Sequence, residues 1–158
     1  MKILRIFILA ILIFAVLFIS FRHTKKAIVQ DEWGIDRSNY RFIIWRSLKE
    51  GRIAKVEEII DWRSFRISSG EILTLYGLSK AIEPEKAITF LKKNIMGKEI
   101  VYFVCETNPE YSGIIYVVAF WGKQKKCLNK TFFDFGFADV DIKDRCFSAK
   151  EWFDAGKN

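Results

Sequence analysis

Two regimes of hydrophobic patterning meet near residue 26. Ile6 to Phe21 contains no charged residue and one polar one, Ser20, with Lys2 and Arg5 ahead of it and Arg22, His23, Lys25 and Lys26 behind. Ile3 to Phe21 is 19 positions, or roughly 28 Å at about 1.5 Å per residue, against about 30 Å for the hydrocarbon core of a bilayer. A run apolar on every face predicts a membrane helix, since a core helix in a small domain keeps a polar face. Phe18-Ile19-Ser20 and Lys25-Lys26-Ala27 place a bulky or charged residue three positions before a cut, which disfavours a cleaved signal peptide. The expectation is an uncleaved signal-anchor over residues 1–26, touching membrane lipid through residues 3–21. Its flanking charges nearly balance. The basic start followed at once by the apolar run favours a single-pass protein with its N-terminus cytoplasmic and its domain extracytoplasmic, periplasmic in a Gram-negative cell.

Residues 27–37 read as a connector, and 38–158 as one α+β domain. Ser38 suits a helix cap, with Phe42, Ile43, Trp45 and Leu48 apolar and Gly51 a stop. Ile53, Val56, Ile59 and Ile60 recur at helical spacing, and Ser69 precedes a third stripe of Ile72, Leu75, Tyr76, Leu78 and Ile82. Pro84 opens a fourth helix, Glu85 to Met96, and Gly97 ends it. Beyond Gly97 the pattern becomes that of strands: Glu99 to Glu106 and Ile114 to Trp121, separated by the turn chemistry of Asn108-Pro109 and Gly113. The second run is apolar at every position, which requires cover on both faces. Thr131, Phe133, Phe135 and Phe137 alternate with polar neighbours as a further strand, with Phe132 the exception, and Ser148 caps a short final helix. The expected architecture is about four helices (38–97), a three- to four-stranded antiparallel sheet (98–147) and a C-terminal helix (148–155).

Charge changes this picture little. Five of the 26 Lys and Arg lie in the first 26 residues, whereas all 19 acids come later, so residues 27–158 hold 21 bases against 19 acids, net +2 of the total +7. The excess belongs to the expected anchor, and a nucleic-acid partner is not expected. Of the three cysteines, Cys105 sits in an apolar run and reads as a small buried hydrophobe. Cys127 and Cys146 lie in polar settings and enclose 18 residues; they are the expected disulfide, whose closure is worth about 3 kcal/mol on the chain-entropy model.

Candidate chemistry is sparse. The single His, His23, flanks the apolar run, and no zinc spacing, calcium loop or phosphate loop is present, so neither metal nor cofactor is expected. Asp134, Asp139, Asp141 and Asp144 form a carboxylate group along the chain that reads as solvated loop. Asn129-Lys130-Thr131 matches a glycosylation sequon. The basic turn of Lys123, Lys125 and Lys126, together with Lys130, is the sharpest surface feature; it reads structurally as a solvated turn and functionally as a grip for an acidic partner or for anionic lipid or polymer. Trp33 and Trp62 stand in polar surroundings, as contact tryptophans do. The resulting expectation is not an enzyme. It is a membrane-anchored protein-binding module of the cell envelope, such as an immunity or inhibitor protein against an exported toxin, or an envelope assembly factor. Its partner contacts would be Lys123, Lys125, Lys126, Trp33 and Trp62. The alternative is an envelope enzyme or carrier acting through the dispersed carboxylates.

Overall fold

The computed structural model describes residues 30–107, 114–142 and 145–154. The chain divides into two units after Gln30, and nearly all described residues belong to the second. Its elements, in chain order, are β1 (Gly51–Ile59), β2 (Ser64–Ile67), β3 (Ile72–Leu75), β4 (Leu78–Ala81), α1 (Pro84–Asn94), β5 (Glu99–Thr107), β6 (Ile114–Trp121), β7 (Lys126–Cys127), α2 (Leu128–Asp134), β8 (Ala138–Val140) and α3 (Ala149–Asp154). Two short 3₁₀ turns, Arg37–Tyr40 and Trp45–Ser47, precede them.

Five strands close on themselves in the order β1-β2-β3-β6-β5 and back to β1. All these pairings are antiparallel except β3–β6, which is parallel over Ile72–Leu75 and Ile114–Val117. β7 extends the sheet beyond β6, and β4 pairs with β8 as a separate two-stranded sheet. A closed five-stranded mixed barrel with a helix between its third and fourth barrel strands has the architecture of an OB-type barrel.

This corrects the expected fold of about four helices followed by an antiparallel sheet. Among the described residues there are three α-helices, of 11, 7 and 6 residues. The residues expected as a first helix, 38–50, form the two 3₁₀ turns. The helical spacing of Ile53, Val56 and Ile59 arises from a strand with a bulge. The register of β1 shifts between Val56 and Glu58, so Val56 and Ile59 both face the core although three positions apart. Ile53 and Ile60 are exposed. The third expected helix is two strands of different sheets, β3 and β4, joined by a turn at Gly77, whose φ of +78° favours glycine. The expected strand from Thr131 to Phe137 is largely α2; Phe132, the exception to the alternation, is fully buried.

The expected anchor, residues 1–26, lies outside the described residues. Among those described, no helix is long and apolar enough to cross a membrane. The longest, α1, has 11 residues, about 16 Å of rise, roughly half the depth of a bilayer core. The structure therefore gives the signal-anchored, single-pass assignment no support, and we do not retain it.

Two apolar clusters share the sheet. Inside the barrel, Val56, Phe65, Leu73, Val117 and Ala119 meet Ala87, Leu91 and Ile95 from α1 and its end. On the outer face of β5 and β6, Val101, Phe103, Val118 and Phe120 are covered by Ile35, Phe42, Ile43, Phe147 and Trp152 from the segments flanking the barrel. β6 is thus enclosed on both sides, as its unbroken apolar run requires. The two covering segments are tied together by an Ile43–Phe147 bridge and by bonds from Ile44 N to Cys146 O and Ser148 N to Phe42 O.

The disulfide joins Cys105 to Cys146, Cα atoms 6.0 Å apart, and Cys127 is a buried free thiol. The expected Cys127–Cys146 pairing is therefore wrong. The C-terminal segment crosses the end of β5, which brings Cys146 beside Cys105, while Cys127 faces Phe120 in the β6–β7 ladder. Asn129 is also fully buried. Its carboxamide accepts from Ala119 N and donates to Tyr76 O and Val117 O, at 2.9–3.0 Å, so the sequon asparagine is a structural brace and is closed to glycosylation in the folded domain.

Peptide mapping without reductant is expected to yield a linked Cys105–Cys146 pair and a Cys127 that alkylates only after denaturation. The bridge closes a separation of 41 residues, worth about 4 kcal/mol on the chain-entropy model; a Cys127–Cys146 peptide would refute it. Asn129→Leu removes the acceptor of Ala119 N and the donor to Tyr76 O, while Val117 O keeps its bond from Tyr76 N, and is expected to lower stability by about 2 kcal/mol. A change under about 1 kcal/mol in urea denaturation would show that the brace contributes little.

Candidate functional site

α2 ends in a Schellman turn that determines where its aromatic side chains go. Gly136 N donates to Phe133 O at 2.9 Å and Phe137 N to Phe132 O at 3.0 Å, with Gly136 at φ +68°. The accompanying apolar contact is Phe132 against Phe137, ring centroids 5.6 Å apart. The cap residue Phe135 is left pointing outward, 59% exposed. Its ring is nevertheless held in place: it meets Phe90 at 5.7 Å and Phe137 at 5.6 Å, both edge-on. Phe90, on α1, is the hub of the group, with Trp121 at the end of β6 also edge-on at 5.4 Å.

The sides of this patch carry charge. Ala87 and Leu91 turn inward on α1, which leaves Lys86, Thr89, Phe90 and Lys93 along an outer face. A groove of about 560 Å³ runs there, lined also by Glu85 and Asn94. Lys126 lies directly opposite Trp121 in the antiparallel β6–β7 pair and so projects on the same side of the sheet. Exposed Ile82 extends the apolar surface, since its N–H bonds Phe137 O.

Of the residues expected from sequence to contact a partner, Lys123 and Lys126 are exposed; Lys126 pairs with Trp121 across the ladder, and Lys123 follows Trp121 by two residues in the turn. Lys125 is half-buried at φ +50°, its carbonyl accepting the Tyr40 hydroxyl at 2.8 Å. Trp33 and Trp62 are half-buried, and they pack against different clusters, so the structure does not bring them together. Trp33 lies over Gly51, where an added Cβ would fall 2.7 Å from its Nε1. Trp62 packs against the barrel core with the Arg63 guanidinium 5.1 Å from its ring. Lys130 is not part of the surface cluster at all. It is buried, ion-paired to Asp134, and sits 5.0 Å and 5.5 Å from the Phe133 and Trp152 rings.

The carboxylates are dispersed in space. Asp134 is held by Lys130, Asp139 is exposed opposite Lys80 in the β4–β8 pair, and Asp144 lies outside the described residues. Asp141 lines a second groove of about 480 Å³ with Arg63, Tyr76, Tyr116 and Arg145. The charged groups there are engaged internally: Arg63 Nη1 donates to Leu78 O, and Asp141 and Arg145 both have partners. Among the described residues no three His, Cys, Asp or Glu side chains are grouped to hold a metal ion. Burial pushes the Cys127 thiol up to about 12; it stays protonated near neutrality, and a protonated thiol is neither nucleophile nor metal ligand.

Phe90, Phe135, Phe137 and Trp121 thus form an aromatic cluster, the candidate surface that sequence reasoning missed. The available signal was the density of Phe between residues 132 and 137, which reads in sequence as one face of an alternating strand with Phe132 the exception. The chain matches no protein-family model and no curated protein.

Burial also pushes the Tyr40 hydroxyl from 10.0 to about 12, as it does the Cys127 thiol from 9.0 to about 12. Both folded-state values are raised, so the stability these groups contribute is complete below pH 9 and is lost as pH climbs from 9 toward 12. Thermal melts along that range are expected to decline less steeply for a Tyr40→Phe, Cys127→Ala double variant. Parallel curves for the two proteins would remove these groups from the account.

Proposed function

We propose that this domain is a protein-binding module working in an oxidising compartment, as an immunity or inhibitor protein or an assembly factor does, and that it engages its partner through the surface around Phe90 and Phe135. One observation carries the reading. Phe135 leaves 59% of its surface in solvent while two edge-on ring contacts hold it in one place. An exposed aromatic already fixed loses little conformational freedom on binding, which is the property of an interface anchor. The Cys105–Cys146 bridge supports the compartment, since such bonds persist where thiols are not kept reduced. The dispersal of Asp134, Asp139 and Asp141 favours binding over the carboxylate enzyme alternative.

A photo-reactive residue in place of Phe135, introduced in the native host, is expected to give a defined protein adduct, and one in place of exposed Phe153 is not. Phe135→Ser is expected to weaken the purified pair about 30-fold, the loss of about 2 kcal/mol typical of a central aromatic contact, with melting temperature unchanged. Equal adducts at both positions, or unaltered affinity in Phe135→Ser, would defeat the assignment.

A further inference from the structure

We infer that the occupant of the Phe90–Phe135 surface is a short acidic, amphipathic segment of a partner protein, its apolar side chains on the rings and its carboxylates on Lys93, Lys123 and Lys126. This deepens the binding reading and rests on it.

The charge around the patch is the first argument. Lys86 is ion-paired to Glu83 at 2.7 Å, and Lys130 is committed to Asp134. Lys93, Lys123 and Lys126 are exposed, and among the described residues they form no ion pair. Glu85 is the exposed acid on the same groove. The rim is therefore net positive, and its unpaired cations stand on two sides of the rings: Lys93 on α1, Lys123 and Lys126 beside Trp121. A partner with carboxylates flanking its apolar anchors meets both sides at once, and like-charged competitors are repelled.

Shape is the second. The cleft follows α1, about 16 Å of helix, which matches two to three turns of a partner helix presenting anchors at i, i+3 or i+4, and i+7. A cleft confined to one helix face suits a peptide segment better than the plane of a bilayer, which cannot enter it. A second copy of this chain fits poorly for an electrostatic reason: a two-fold contact sets the same patch against itself, placing lysine on lysine.

The test is selection from a displayed library of random 12-residue peptides on the full chain, with counter-selection on Phe135→Ser. Phe135-dependent peptides are expected to carry Asp or Glu on both sides of two or three apolar residues. Their affinity should fall at least tenfold in a Lys93→Glu, Lys123→Glu, Lys126→Glu variant, less in the matching Gln variant, and with rising salt in the unaltered protein. Phe135-dependent peptides that are neutral or basic would overturn the acidic partner yet leave the protein-binding reading standing. Failure to recover any Phe135-dependent peptide would overturn the inference, and the cross-linking adduct would then decide the parent reading separately. Phosphatidylglycerol vesicles binding in a lysine-dependent way, or a dimer in sedimentation that Phe135→Ser dissolves, would overturn it in favour of a lipid surface or a second copy.

Discussion

Closure of the barrel depends on one parallel contact, β3 against β6. The other barrel pairings join antiparallel strands, but β3 and β6 are brought together across β4, α1 and β5, and their ladder covers only four residues on each side. Asn129 reinforces it where the ladder ends. Its amide spans Tyr76 O, just past β3, and Val117 O and Ala119 N on β6. Tyr76 N also donates to Val117 O at 3.0 Å. In a dry interior such a fully satisfied network adds directional definition that apolar packing lacks. Asn129 lies in the first turn of α2, so the same contact locates that helix, and with it the Schellman turn that projects Phe135.

β6 connects the two halves of the domain. Alternate residues face opposite clusters: Val117 and Ala119 enter the barrel, while Val118 and Phe120 lie beneath the flanking segments. Those segments have little regular structure. They are held by an aromatic layer, with Trp45 stacked on Phe120 at 5.9 Å and Trp152 against Phe147 at 4.7 Å, and by the Cys105–Cys146 bond. The barrel and its cover are thus mutually dependent, since removing the cover would expose the outer apolar residues of β5 and β6. The surface around Phe90 stands at the end of this assembly, where Trp121 leaves the sheet, and takes its rigidity from it.

The lysines illustrate how one residue type divides into two roles. Lys130 is withdrawn from water and compensated by Asp134 and two ring faces, which makes it part of the packing between α2 and α3. Lys123 and Lys126, seven and four residues earlier in the chain, remain in solvent, where their charge acts on association more than on stability. Along the chain all three look alike.

Short-range information was enough for some elements. Pro84 and Gly97 bracket α1, the doubly apolar run of β6 required cover on two faces, and strand spacing after Gly97 placed β5. The residues 27–158 are long enough for one core, and the tail helix was visible from its cap at Ser148. Other elements were decided by tertiary contacts. The bulge at Glu57–Glu58 gives a strand the spacing of a helix, and only its pairing with β2 and β5 shows which. Six residues from Phe132 to Phe137 fit either period; α2 becomes a helix because Asn129, Lys130 and Phe132 each have a buried partner on other elements. Cys146 pairs with Cys105 because the C-terminal segment crosses β5, a path that chain spacing does not specify. Likewise the patch is assembled from α1, β6 and the end of α2, segments whose convergence depends on barrel closure. Local pattern reports which residues prefer to leave water; which of them remain in it is settled only when the sheet has closed and its surfaces have been covered.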